Sequence, residues 1–503
     1  MTTKPLWKKS ALALVMAGAA LVLAVSPSKA SEDRLPIAAV RAELAAAYDA
    51  LNSASYDLFA HRDEAAYRAF RDELIRSVDR PLSHQETAIL LQRLTAYARI
   101  GHARIDAPIA GFMTQLFAGG RVLPVFIRVD SGRARLTQSA DASGRFTAGD
   151  EIVSINHEAA GVWLERLGGY VSAERPYMTH TLVEESFPIL LGFALGDVDS
   201  VTLTVRKPSG AIVSGDVPAV TLAQRAEILS AHPTPSLDTD FSTRAFDVLP
   251  QGIGYLRPGP FAEQAGERPD AATDYDTSAF KSFIDQSFER LLASGATDLL
   301  IDLRDNPGGD NSFSDLMVAW FADRPFRFAS TFSLKASPQT KAWYAARNAQ
   351  AAQDGTLKAL AEAEAAQPDG VRYAFDLPMT TPRPGARFQG RVHVLVNRNS
   401  FSNAASVAAM IQDYGFGQVL GEETADVPTT YASVLTFDLP ATGITVTYPK
   451  SRIVRPNGDE SLIGVLPDRR IARPAIGESE DSVLNEALRL IEANRAEQRP
   501  LTR

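Results

Sequence analysis

The spacing of apolar residues changes twice along the chain and predicts three structural regions. From Leu35 to Ala110, apolar residues recur at helical intervals among Ala, Glu and Arg, which predicts a small helical domain. From Arg121 to Thr221, short segments alternate between apolar and polar residues and are separated by turn residues, as in β-strands. From Gly252 onward, strand patterns alternate with helix patterns. This alternation predicts an α/β core with a parallel or mixed sheet.

The length of 503 residues is enough for about three domains. The changes in pattern then predict the following order of segments. These are a signal peptide at 1–30, a helical domain at 31–115, a β-rich domain at 116–222, a linker at 223–247, an α/β core at 248–478 with a helical insertion at 336–370, and a C-terminal helix and tail at 479–503.

The first thirty residues have the pattern of a secretory signal peptide. Three lysines precede the apolar run Ala11–Val25, and the small residues Ser28 and Ala30 occupy the two positions that a signal peptidase reads. An uncleaved membrane anchor is the alternative, but a run of 15 residues is short for a span. We expect cleavage near Ala30, a periplasmic or secreted bacterial protein, and no stable membrane insertion afterwards.

Composition and charge exclude several classes of function. A formal net charge of −9 provides no basic surface, so nucleic acid is not an expected partner. The chain contains no cysteine, which excludes disulfides, a thiol nucleophile and thiolate metal sites. Neither an H-E-x-x-H zinc motif nor a phosphate-binding Gly-Lys loop occurs. We therefore expect neither a metal nor another cofactor, and no pattern predicts an oligomeric state.

Within the β-rich region, Phe146–Ile155 reads FTAGDEIVSI. This stretch resembles the carboxylate loop and following strand of a PDZ domain, with a helix expected near Val162 and a closing strand at Val201–Arg206. The segment Tyr170–Gly196 is an insertion that an ordinary PDZ domain lacks. PDZ-like modules bind peptide ends by adding a strand. A β-rich domain without a peptide groove is the alternative.

Two turns in the α/β region carry groups suited to acyl transfer. Ser402 lies between the apolar strand Val392–Val396 and the helical pattern Asn403–Asp413, where the positive end of the helix dipole favours an oxyanion. Gly308 and Gly309 follow another apolar strand and let a substrate approach the main chain. One of these glycine N–H groups and that of Asn403 could form an oxyanion hole.

Each turn also has a simpler interpretation. Ser402 could only cap its helix, as serines at such positions usually do, and Ser400 is an equally good cap. The two glycines could serve only to form a tight connection between strand and helix. The local pattern does not decide between these alternatives.

Taken together, four motifs are similar to those of a known family. DLLIDLRDNPGG, SFSNAASVAAMIQDYG, VLGEET and GVLPD occur in the order and spacing of the C-terminal-processing (tail-specific) and tricorn-core serine peptidases, over about Gly252–Ile471. The resemblance implies a crotonase-like α/β (ββα spiral) core, often preceded by a PDZ domain. It also implies that Ser402 is the nucleophile, and that Gly308 or Gly309 forms the oxyanion hole with the Asn403 amide.

The base differs from that of the tail-specific branch. That branch uses a lysine where GEETADVPT places Val427, and a glutamate where this chain has Ala405. Lys450 is a possible substitute, although it lies well beyond the motif. The tricorn-like branch has a histidine in the preceding helical segment, and Gly101-His102 resembles its motif. The resemblance therefore implies His102 as the base, a residue type whose pKa of about 6.5 suits this role.

The resemblance also implies an acid that orients the histidine, just before Gly464-Val465-Leu466-Pro467-Asp468. Ser461 stands at the expected position, with Asp459 and Glu460 beside it, and Glu460 is preferred. The function expected is a secreted serine endopeptidase that acts on protein or peptide substrates. The alternatives are a non-catalytic protein of the same fold that binds peptide or a hydrophobic ligand, and an esterase that uses the same site.

Overall fold

The computed structural model describes residues 34–264, 276–347 and 355–497. The predicted signal peptide lies outside these residues. The helices are α1 (Ile37–Ala54), α2 (Glu64–Ser77), α3 (His84–Ala96), α4 (Ala107–Phe117), α5 (Ala160–Gly168), α6 (Pro176–Leu195), α7 (Leu222–Ala231), α8 (Ser278–Ser294), α9 (Asn311–Val318), α10 (Pro338–Ala346), α11 (Gly355–Ala365), α12 (Asn403–Tyr414) and α13 (Ser482–Glu497).

The strands form three sheets in the described part of the chain. They are β1 (Ile127–Asp130), β2 (Arg133–Leu136), β3 (Glu151–Ile155), β4 (Glu158–Ala159), β5 (Ser200–Arg206), β6 (Ile212–Pro218), β7 (Ala245–Val248), β8 (Ile253–Arg257), β9 (Asp298–Asp302), β10 (Thr331–Lys335), β11 (Arg372–Ala374), β12 (Arg391–Val396), β13 (Gln418–Gly421), β14 (Thr430–Asp438), β15 (Thr445–Val454) and β16 (Arg469–Arg470).

The described residues group into two compact units. The first, here the N-terminal unit, consists of the described residues within 34–236, 334–373 and 431–451. The second, here the core unit, consists of the described residues within 237–333, 374–430 and 452–497. A four-stranded sheet with the order β11-β10-β15-β14 takes most of its residues from the N-terminal unit. Two segments predicted within the α/β core, 334–373 and 431–451, thus group with the N-terminal unit.

In the N-terminal unit, α1 to α4 form the predicted helical region. The first residues of α3 show why a helix begins there: the Ser83 hydroxyl accepts the Glu86 N–H at 3.1 Å, and the Glu86 carboxylate accepts the Ser83 N–H at 2.8 Å. This reciprocal capping satisfies two amides that would otherwise lack partners. Leu435 and Tyr448, from the last segment of the unit, are buried in the same apolar cluster as Leu44 of α1.

The alternating region is confirmed as an antiparallel sheet with the order β1-β2-β3-β5-β6, and β4 pairs with β3. The predicted insertion at Tyr170–Gly196 consists mostly of α6. Phe187 and Leu191 of this helix are buried in one cluster with Trp163 of α5 and with the inner face of the sheet. The likeness of this sheet to a PDZ domain stays a prediction.

The core unit is the predicted α/β core. Its sheet has the order β16-β13-β12-β9-β8-β7, and its strands are parallel except for the antiparallel edge strand β7. Alternate residues of β9 face opposite sides: Leu299 and Ile301 pack with α8, α9 and α12, whereas Leu300 packs with α13. Apolar runs buried on both faces are typical of parallel sheets, so the α/β fold class is confirmed.

The register of the sheet fixes where the two turns of interest lie. Strands β9 and β12 are adjacent and parallel, and Asp302 at the end of β9 pairs with Leu395 near the end of β12. The chain leaves both strands at the same edge, where ligands bind in open α/β sheets. The turns at 303–310 and 397–402 therefore meet at this edge. No helix among the described residues is both long and apolar enough to cross a bilayer.

At the opposite edge of the sheet, a buried carboxylate holds three cationic or polar side chains. Asp298, at the start of β9, accepts hydrogen bonds from Arg391 at 2.8 and 2.9 Å, from His393 at 3.0 Å and from Arg495 at 2.6 Å. Burial by itself raises the pKa of Asp298, but the hydrogen bonds from His393, Arg391 and Arg495 together hold that pKa well below its usual range. The group connects β9, β12 and α13.

We expect Asp298→Asn to lower the free energy of unfolding at pH 7 by about 3 kcal/mol, because it leaves buried cationic partners uncompensated. Folding lowers the pKa of Asp298. Its contribution to the free energy of unfolding is therefore fully present above pH of about 4 and is lost progressively as the pH falls from there toward the lowered pKa. Urea unfolding of both proteins at pH 7 and at pH 3 would measure the difference. An equal difference at the two pH values would contradict the assignment.

Candidate active site

Ser402 lies directly before α12 in a backbone conformation that serine rarely adopts. Its φ is 53° and its ψ is −123°, and its side chain makes no capping hydrogen bond to the helix. The simple capping interpretation of this serine is therefore wrong. Such a conformation costs free energy of about 1–3 kcal/mol and persists only where the surrounding contacts impose it.

The neighbouring Ser400 has a different role. Its hydroxyl is buried, donates a hydrogen bond to the Leu303 carbonyl oxygen at 2.7 Å and accepts the Asn397 N–H at 3.0 Å. These contacts tie the turn after β12 to the turn after β9. Ser400 is thus engaged in holding the two turns together, whereas Ser402 stands at the head of the helix.

Gly308 lies against the Ser402 turn. A Cβ atom built on Gly308 would be 2.6 Å from the Asn403 nitrogen and 2.7 Å from the Ser402 Cβ, which is closer than any side chain tolerates. The φ of 88° at Gly308 is also one that glycine adopts most readily. The turn at 306–309, here the NPGG turn, therefore needs glycine at position 308 so that the Ser402 turn can approach it. A simple connection between strand and helix would not need this close approach.

The side chain of Asn306 holds this turn from within. It accepts the Gly308 N–H at 2.9 Å and donates to the Gly259 carbonyl oxygen at 2.7 Å. The Asn306 carbonyl oxygen accepts the Phe401 N–H at 2.9 Å. Because the Gly308 N–H is already bonded, this residue is a poor donor to a substrate.

Two other amides at this position remain without an acceptor. Within the described parts of the chain, the N–H groups of Gly309 and Asn403 donate to no protein atom. Gly309 is exposed, and Asn403 is the first residue of α12, where amides carry the positive end of the helix dipole. The structure brings Ser402, Asn403, Gly308 and Gly309 together, and the available amides are those of Gly309 and Asn403.

A residue that sequence reasoning missed also contacts this turn. The Asp426 carboxylate accepts the Ser402 N–H at 2.5 Å and the Val427 N–H at 2.9 Å. Its side chain is 1% exposed. The sequence contained no signal for this contact beyond an acidic residue next to Val427, because 24 positions separate the two partners.

The residues at the positions of the alternative bases are all buried. Val427 and Ala405, which replace the lysine and glutamate of the tail-specific pattern, are both buried, at 1% and 0% exposure. Neither side chain can accept a proton. Lys450 is also buried, lies in the N-terminal unit and donates a hydrogen bond from Nζ to the Ser433 Oγ at 2.7 Å.

His102 lies in the N-terminal unit, in a turn that is fixed by its neighbours. The imidazole is 4% exposed, and the Ala103 N–H donates to the Ile100 carbonyl oxygen at 2.9 Å. The Gly101 N–H donates to the buried Glu174 carboxylate at 2.8 Å, and the Ser172 hydroxyl donates to the Ala103 carbonyl oxygen. The part of the predicted insertion that precedes α6 therefore supports this turn. Sequence reasoning did not identify Glu174. The pairing of His102 with Ser402 stays a prediction.

Glu460, the predicted orienting acid, lies in the core unit. Its carboxylate accepts a hydrogen bond from Arg452 at 2.5 Å, and its side chain is 59% exposed. In the neighbouring Asp459, hydrogen bonds from the backbone and hydroxyl of Ser461 lower the pKa of the carboxyl. The role of Glu460 stays a prediction.

Comparison with known proteins identifies the class. Residues 252–471 match the model of peptidase family S41. None of the curated proteins matches the chain. Mature CPAF complexed with lactacystin is similar in structure, with a TM-score of 0.63 and 16% sequence identity over 92% of this chain and 98% of that one.

Two further solved structures are also similar to this chain. A second structure of mature CPAF gives a TM-score of 0.58 at 17% identity, over 86% of this chain and 92% of that one. The photosystem II D1 C-terminal processing protease gives 0.41 at 16% identity, over 86% and 93%. Residues 252–471 therefore form a serine-type peptidase domain of this family, and the likeness to CPAF confirms the fold.

We expect Gly308→Ala to be far more destabilising than Gly415→Ala. Both glycines have positive φ, 88° and 70°, but a Cβ on Gly415 would meet nothing within 4 Å. The control should therefore lose about 1 kcal/mol from backbone strain alone, and Gly308→Ala at least about 2 kcal/mol more. Thermal unfolding of the two variants measures the difference. Equal losses would show that the close approach of the turns is not required.

Proposed function

We propose that this protein hydrolyses peptide bonds of protein substrates through an acyl-enzyme on Ser402. The observation that carries the proposal is the strained backbone of Ser402, which has a φ of 53°. This residue lies between Gly308 and the first residue of α12. A serine that only caps a helix has backbone angles in the β region and needs no such conformation. Strain of this kind clusters at reactive residues. The match of residues 252–471 to peptidase family S41 supports this reaction type.

The reaction proceeds in two halves. The Ser402 Oγ attacks the substrate carbonyl carbon while the base takes its proton, and the carbonyl oxygen becomes an oxyanion that accepts the N–H groups of Gly309 and Asn403. The intermediate collapses, the C–N bond breaks, and the base gives its proton to the leaving amine. Water then attacks the ester by the same route and releases the carboxylic acid and the serine.

We assign the base to His102 and the orientation of its imidazole to Glu460. The supporting observations are that Val427 and Ala405 cannot accept protons, and that the Lys450 amine is bonded to Ser433. The turn that carries His102 is fixed by Glu174 and Ser172, as a base that must keep its position requires. We further propose that the protein acts in the periplasm or outside the cell, after cleavage near Ala30.

The decisive experiment compares Ser402→Ala with Ser400→Ala. We expect Ser402→Ala to abolish labelling by a fluorophosphonate and to lower hydrolysis of an unfolded protein by at least about a thousandfold, because the nucleophile is lost. Ser400→Ala removes a buried structural hydroxyl and should lose about 1 kcal/mol of stability while it keeps labelling. Labelling by gel fluorescence and casein hydrolysis would be measured on the mature protein.

Retained hydrolysis in Ser402→Ala would refute the proposal. Absence of both labelling and hydrolysis in the unmodified protein would instead favour the binding-protein alternative. Rapid hydrolysis of short acyl esters without cleavage of any protein would favour the esterase. Because the same samples serve all three measurements, the alternatives are separated in one series.

The base is tested with His102→Ala and Lys450→Met. We expect His102→Ala to lower the rate of labelling by about a thousandfold or more, since the serine then has no proton acceptor. Lys450→Met keeps much of the buried volume and should label at the rate of the unmodified protein. The rate constants of fluorophosphonate labelling at pH 7 would decide. Loss of labelling only in Lys450→Met would transfer the role of base to the lysine.

A further inference from the structure

We infer that Asp426 positions the nucleophile by holding the Ser402 amide in its strained conformation. The inference rests on the proposed role of Ser402 and adds a residue to that site. Asp426 Oδ2 accepts the Ser402 N–H at 2.5 Å, and Oδ1 accepts the Val427 N–H at 2.9 Å. Both carboxylate oxygens are therefore directed at backbone amides, one of which belongs to the nucleophile itself.

The hydrogen bond from Ser402 to Asp426 acts directly on the strained residue, because its donor is the Ser402 N–H. Ser402 has a φ of 53° and a ψ of −123°, and in this conformation its N–H donates to the buried Asp426 carboxylate. A hydrogen bond to an ionised acceptor is stronger than one between neutral groups, and more so away from water. The carboxylate also lies at the amino end of α12, where a negative charge is favoured. Asp426 thus supplies free energy that offsets the strain at Ser402.

Asp426 is itself fixed by the loop between β13 and β14. The Thr424 hydroxyl donates to the Asp426 carbonyl oxygen at 2.8 Å, and the Val465 N–H donates to the same hydroxyl at 2.9 Å. The Ala425 N–H donates to the Arg398 carbonyl oxygen at 3.0 Å, which joins this loop to the turn of Ser402. A loop held at both sides can impose a position on the serine.

The charge of Asp426 and its position have opposite effects on the reaction. A negative charge next to a developing oxyanion disfavours the transition state, whereas the correct placement of Ser402 favours it. The role inferred here therefore depends more on where the side chain places its acceptor atoms than on the strength that its charge adds to the hydrogen bond. Asparagine keeps one acceptor oxygen at the same distance from the backbone. Glutamate keeps the charge but displaces it by one methylene group.

The test compares Asp426→Asn, Asp426→Glu and Asp426→Ala in the full mature protein. We expect Asp426→Asn to stay within about tenfold of the original rate of fluorophosphonate labelling, while Asp426→Glu and Asp426→Ala fall about a hundredfold, the usual cost of a small misplacement. The effect should appear in kcat with KM unchanged, because the substrate contacts remain. Asp298→Asn is the matched control: it removes another buried carboxylate of the core unit, at the opposite edge of the sheet, and should keep the labelling rate.

The outcomes separate this inference from the proposed function. If the unmodified protein is not labelled, the proposed function fails and the inference fails with it. If it is labelled and Asp426→Ala labels at the same rate, only the inference is overturned. A labelling rate of Asp426→Glu equal to or above that of Asp426→Asn would also overturn it, since charge would then matter more than position. If Asp426→Ala does not fold, the comparison of the asparagine and glutamate variants decides alone.

Discussion

The contact between the NPGG turn and the turn of Ser402 is the constraint on which the site depends. Strands β9 and β12 are parallel neighbours, so their carboxyl ends bring both turns to one edge of the sheet. There Gly308 leaves no room for a methyl group, whose position would be 2.6 Å from the Asn403 nitrogen. This approach brings the Phe401 N–H within hydrogen-bonding distance of the Asn306 carbonyl oxygen. It also brings together the available amides of Gly309, in the NPGG turn, and of Asn403, directly after Ser402.

Buried carboxylates stabilise the sheet at both edges, but in different ways. Asp298 lies at the amino ends of the strands and is compensated by cationic and imidazole side chains of Arg391, Arg495 and His393. Asp426 lies at the carboxyl ends and accepts backbone amides. A charge in the protein interior must be compensated in one of these ways. The first arrangement holds secondary-structure elements together, whereas the second holds a single peptide group in place.

The residues at the positions of the catalytic lysine and glutamate distinguish this chain from the tail-specific pattern that it resembles. The positions of the lysine and glutamate are filled by Val427 and Ala405, both of which are buried. If Ser402 is the nucleophile, as proposed, its proton acceptor must come from elsewhere in the chain, and the proposal assigns this role to His102. Its turn is fixed by Glu174, in a segment that the sequence identified only as an insertion. The charge and burial of Glu174 make it a structural support of the turn.

The sequence by itself determined the succession of helical, β-rich and α/β regions, since periodicity of apolar residues follows directly from which faces are buried. It also determined the segments at 299–309 and 394–424, because their glycines and serines occur in a distinctive order. Only the tertiary structure decided that Ser402 does not cap its helix, that Gly308 has its N–H occupied and that Asp426 holds the serine amide. These facts depend on hydrogen bonds between residues distant in sequence or on single backbone angles, and local patterns of residues carry no record of either.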